Sequence, residues 1–219
     1  MNKKNLLKFI SAWQIEIMSS VIVILCLFLV YLFPVQNSFQ NFSRNLFFLF
    51  LLPLLYIKLV LKKNIRDYGF SLQNKKTGFA WAAGMLIVSC LIVFLLIHFF
   101  QFETKYFLRA YLAQSFWIFL FYELVLVNFL LFINEFFFKG FLLFIFAEKL
   151  GHWAIAIQFL AYLLFLIFAS SLAWQIAPMI ILALTGGIVT YKSKSFIYSY
   201  LMGLVFLIIL DSYIIYIFK

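Results

Sequence analysis

Seven apolar stretches follow one another along this chain, and nothing between them is long enough to form a domain in water. They fall at 15–35, 46–61, 79–100, 111–148, 153–171, 175–191 and 196–218. Runs of about 18 or more apolar residues suit a helix crossing ~30 Å of hydrocarbon. Composition agrees: 67% hydrophobic and 11% charged residues depart far from the roughly 45–50% and 25% of a soluble domain. Within lipid each segment must satisfy its own backbone, and no ten-residue alternation suggests a barrel. The expectation is an all-α, polytopic transmembrane helical bundle of about seven spans, forming one membrane domain over 1–219. At ~1.5 Å per residue, 111–148 is longer than a bilayer core, so a break there would give eight spans.

The formal charge of +10 does not indicate nucleic acid, because the basic residues sit in short loops between spans. With the N-terminus cytoplasmic, twelve of them, from Lys3 to Lys194, face the cytoplasm, while Arg44, Lys105, Arg109 and Lys219 lie outside. That bias predicts a multi-pass protein of the cell membrane with its N-terminus inside. The basic head of "MNKKNLLKFI" resembles a signal peptide, but the following apolar run is long and has no cleavage site, so it is expected to stay as the first span. Trp13, Trp81, Trp117, Trp153 and Trp174 all lie near span starts, as interfacial anchors do. Cys26 and Cys90 are spaced like neither a disulfide framework nor a metal motif and are expected in the core. Asn41 in "NFS" fits the glycosylation pattern, which also recurs by chance.

The polar residues within the spans carry the functional information. "FINEFFFKGFLLF", at 132–144, holds Asn134, Glu135 and Lys139 in an otherwise apolar run. A charge at mid-membrane costs at least ~2.5 kcal/mol and marks a functional site by default. At ~100° per residue, Asn128, Glu135 and Lys139 share one stripe that should face other helices, and Asn134 points about 100° away. Glu135 and Lys139, four apart, also neutralise each other in a purely structural reading. Glu123 lies on another face, His98 ends the third span, and Asp211 needs a counter-charge for which Lys139 is the candidate. HExxH, GxSxG, glycine-rich phosphate loops and nucleotide fingerprints are absent.

"NEFFFKGFL", at 134–142, resembles the first motif of the CPBP family (Abi, or CAAX-protease-like, intramembrane proteases), EExxxR followed by glycine and an apolar run. "LKKNIRDYGFSLQNKKTGFAW", at 61–81, resembles the family's basic cytoplasmic loop. "EKLGHWAIAIQFLAYLLFLIFA", at 148–169, is similar to the turn and helix of the second motif, FxxxH. "LTGGIVTYKSKSFIYSYLMGLVFLI", at 184–208, is similar to the glycine turn and the last motif helix, HxxxN. The resemblance covers about 60–210 and implies an intramembrane endopeptidase fold, with a divalent metal if active. On the first motif it assigns catalytic positions to Asn134, Glu135 and Lys139.

The departures from the pattern are equally specific. Asn134 replaces a glutamate, and Lys139 replaces the arginine, losing its planar fork of donors. With Phe165 as the motif phenylalanine, Ala169 takes a histidine position; counting from Ser195, Gly203 and Leu207 take the last histidine and asparagine. Loss of general bases and ligands costs orders of magnitude in rate. The expectation is therefore a pseudoprotease without a cofactor, lying in the lipid bilayer and binding a membrane-inserted peptide or protein. Two rivals are a transport or substrate-binding subunit, with Asn128, Glu135, Lys139 and Asp211 lining one hydrated site, and a structural or immunity-type membrane protein.

Overall fold

A computed structural model of the chain describes residues 13–72, 74–106, 115–169 and 176–217. Trp174, Arg109, Lys219 and the basic residues Lys3, Lys4 and Lys8 lie outside them. Among the described residues the fold is all helical, with no strand. Its seven long rods are α1 (Gln14–Leu32), α2 (Ser38–Val60), α3 (Lys75–Phe100), α4 (Phe116–Leu150), α5 (Trp153–Ala169), α6 (Ala177–Ser193) and α7 (Phe196–Ile217). Five are long and apolar enough to cross a bilayer, and α5 and α6 are shorter apolar helices. The region that could have broken into two spans is one continuous helix, α4, so no eighth rod arises there.

Local chemistry explains the boundaries. α2 begins eight residues before the expected 46 because Asn37 caps it, its side chain accepting from the Gln40 backbone N–H at 2.8 Å. The polar "SFQNFSRN" therefore joins the helix, bringing Asn41, Arg44 and Asn45 with it. Pro53 lies in mid-helix, where its missing N–H breaks the regular ladder, and π-helical turns at Leu46–Leu51 and Tyr56–Val60 flank it. α4, which has no proline, also carries π-helical turns at Tyr122–Val127 and Glu135–Leu142. Wide turns of this kind often accompany functional sites.

α4 is the central strut, packing against α1, α2, α5, α6 and α7, while α3 leans on α6 and α7. α1 docks through a single stripe, Glu16, Ser19, Val23, Cys26 and Val30, at helical spacing. Its polar members are satisfied: Glu16 pairs with Lys149 at 2.6 Å, and Ser19 shares a hydrogen bond with Tyr56 at 3.2 Å. Cys26 is buried and Cys90 half-buried, and both are free thiols. Other α1 faces remain open, with Ile24 66% exposed. Phe99 at 69% and Leu59 at 67% repeat this elsewhere. Such an apolar exterior suits hydrocarbon and not water.

Two aromatic-rich cores lie inside. One joins α1, α2, α4 and α5 around Phe136, Phe137, Phe138 and Phe141, and the other joins α3, α6 and α7 around Tyr198, Met202 and Phe206. The loop after α2 closes one end. Asn64 and Asp67 form a capping box, Gly69 turns with φ +81°, and Ser195 Oγ donates to the Gly69 carbonyl at 3.1 Å. A side chain at Gly69 would meet Phe144 at 2.7 Å as well as straining the backbone. Tyr68 is buried here, and desolvation, aided by Tyr56, Glu148 and Asp67, holds its hydroxyl well above the usual tyrosine range.

Candidate functional site

The polar stripe of α4 faces α6 and α7. Asn128 accepts from the Tyr200 hydroxyl, and its amide nitrogen donates to the Leu124 carbonyl at 3.0 Å. Below it, Lys139 Nζ pairs with Glu135 Oε1 and donates to the Leu182 carbonyl at 2.9 Å and to Ser199 Oγ at 3.1 Å. Ser199 Oγ in turn donates to Glu135 Oε2 at 2.6 Å. Both carboxylate oxygens and all three ammonium donors thus have partners. Glu135 is 4% and Lys139 3% exposed, so the pair survives burial through excellent geometry.

Two adjacent glycines make room for this arrangement. A Cβ on Gly186 would collide with Lys139 Nζ and Ser199 Oγ, and one on Gly187 would meet Gln158 Oε1 at 2.6 Å. The "TGG" of α6 is therefore a packing notch: small residues let helices approach where no hydrophobic force drives them together. It seats the lysine on one side and the glutamine on the other.

Beside the ion pair lies a cavity of about 370 Å³. Its polar lining includes Asn41, Arg44 and Asn45 from α2, Asn134, Glu135 and Lys139 from α4, and Gln158 and Tyr162 from α5. Asn134 and Glu135, neighbours on α4, both line this cavity. Asn134 Nδ2 donates to the Leu130 carbonyl at 2.9 Å, but its Oδ1 has no partner. Asn45 Oδ1 is equally bare, and Gln158, fully buried, has a partner for neither Oε1 nor Nε2. Unpaired buried amides cost about 1–3 kcal/mol each, which a ligand with matching donors and acceptors would recover.

Several expected placements are corrected. Lys139 is not the partner of Asp211: on α7, twelve residues of rise, about 18 Å, separate Asp211 from Ser199. Asp211 instead accepts from the Tyr106 hydroxyl at 2.8 Å, and the fully buried Glu123 carboxyl faces it without a hydrogen bond of normal geometry. Asn128, Glu135, Lys139 and Asp211 therefore do not line one site. Gly203 packs near Leu131 and Leu182, and Leu207 is buried in the α3–α6–α7 core. Ala169 ends α5, eleven residues beyond Gln158. From α5, Gln158, Tyr162, Phe165 and Leu166 line the Glu135 cavity, and from α7 Ser199 bonds Glu135 itself. Gln158 has a sequence signal, as the sole amide side chain within α5.

A divalent metal does not suit this chemistry. Glu135 is already neutralised by an ammonium group, which occupies the place a cation would take, and the nearby side chains from α5 and α7 are an amide, a phenol and a hydroxyl. Among the described residues, no group of three or more His, Cys, Asp or Glu is placed to hold a metal. His98 stacks on Phe94 at the exposed end of α3, with ring centroids 6.2 Å apart. No family model matches the sequence, and neither a curated protein nor a solved structure is significantly similar to it.

Proposed function

We propose that this chain is a non-cleaving homologue of CPBP-family intramembrane endopeptidases that holds a membrane-inserted peptide segment in the cavity beside Glu135. The observation that carries this reading is the contrast between Glu135, whose oxygens are both engaged, and Gln158, whose amide is buried and bare in the same cavity. A general base must reach the proton it removes; Glu135 is turned to Lys139 and Ser199 instead. Unpaired amides, by contrast, match the N–H and C=O groups of an unwound peptide, which in lipid must find partners. The protein works as a multi-pass component of the cell membrane, its N-terminus cytoplasmic by the loop-charge bias.

The order of residues supports an approach from the opposite side. Asn41 and Arg44 lie in the first turns of α2 and Met179 in the first turn of α6, and both helices enter from that side. A photo-crosslinker replacing Tyr162 tests the reading with synthetic transmembrane peptides in liposomes. The expected result is a peptide adduct that weakens with Gln158→Leu; adducts with lipid alone would refute it.

A further inference from the structure

Arg44 lies at the junction of two spaces: it lines the polar cavity and also a groove of about 560 Å³ between α1 and α5. That groove is walled by Ile24, Leu27, Phe28, Tyr31, Leu164 and Phe168. Of the five guanidinium donors, two are used, toward the Phe33 carbonyl at 3.3 Å and Asn41 Oδ1 at 2.8 Å. Both acceptors are neutral, and Nε has no acceptor at all. Among the described residues the ion pairs are Glu135–Lys139 and Glu16–Lys149, so no carboxylate there balances Arg44.

Arg44 is six residues into α2, about 9 Å along the axis from its start, so its long side chain lies near one end of the bundle. An apolar trough ending at an unbalanced, planar cation is complementary to one kind of molecule, an amphiphile with an anionic phosphate and an aliphatic chain. We propose that this groove binds an anionic phospholipid, its phosphate on the terminal guanidinium nitrogens of Arg44 and one acyl chain between α1 and α5. The site shares Arg44 with the cavity but does not depend on a peptide being held there.

Native mass spectrometry of the delipidated full chain, titrated with phosphatidylglycerol or phosphatidylcholine of identical acyl chains, tests the proposal. The wild type should favour phosphatidylglycerol, and Arg44→Gln should lose that preference by about tenfold, the scale of one charge-assisted contact. Arg44→Lys should keep most of it. Leu164→Trp, which fills the groove, should weaken both lipids alike. Equal affinity of the wild type for the two lipids, or a preference unchanged in Arg44→Gln, would overturn the site. Should Arg44→Gln not yield folded protein, loss of the preference in Arg44→Lys together with no effect of Leu164→Trp would overturn it equally.

Discussion

Two buried carboxylate sites sit on α4, and their partners are of opposite kinds. Glu135 has a lysine one turn along its own helix and a serine hydroxyl from α7. Glu123 faces another acid, Asp211, with a tyrosine hydroxyl from the segment after α3 as the hydrogen-bond donor there. The first is a closed ion pair within the bundle. The second depends, among the described residues, on neutral donors and on contact between carboxyl groups. An acid in an apolar helix therefore carries no single meaning; its partners decide what it does.

Substitutions should separate the two sites. The largest effect is expected at the ion pair: Lys139→Met strands Glu135 in the interior, at a cost of about 3–5 kcal/mol. Thermal unfolding in detergent should show this loss, and the double variant Lys139→Met with Glu135→Leu should recover most of it. Gly186→Ala comes next, because its methyl group displaces Lys139 and Ser199; overpacking of this kind costs about 1–3 kcal/mol.

At the second site the losses should be smaller. Tyr106→Phe removes the donor to Asp211 and should cost about 1–2 kcal/mol in the same assay. Asp211→Asn, which relieves contact between two acids, should cost less than Glu135→Gln, which leaves an ammonium group unpaired. The reverse order would erase the distinction between the sites.

The smallest effect is expected at Tyr68. Its folded hydroxyl titrates above its unfolded value, so its contribution is present below the ordinary tyrosine range near ~10 and is lost as pH rises above it. Between pH 9 and 11, Tyr68→Phe should therefore lose less stability than the wild type.

The helical rods were legible because long apolar runs leave the backbone no alternative in lipid. Their ends were less so: α2 starts at a cap, Asn37, in a polar stretch that hydropathy discounts. The π turns of α4 have no periodic signature in the sequence. The charged half of the site, Glu135 and Lys139, stood out against phenylalanine and leucine. Its other half consists of neutral residues and absent side chains: Gln158, Ser199, Gly186 and Gly187. Motif spacing pointed to Ala169 and Gly203, which share a helix face with Gln158 and Ser199 but lie about 16 Å and about 6 Å further along the axis. Only packing shows which turn meets Glu135.

The central claim is that the cavity holds a peptide segment without cutting it. Purified full-length protein, reconstituted in liposomes with a library of transmembrane and lipid-modified peptides, tests this by mass spectrometry of the products. Intact peptides retained by the protein, with retention reduced by Gln158→Leu, are the predicted result. Fragments that form with the wild type and disappear with Glu135→Ala would contradict it.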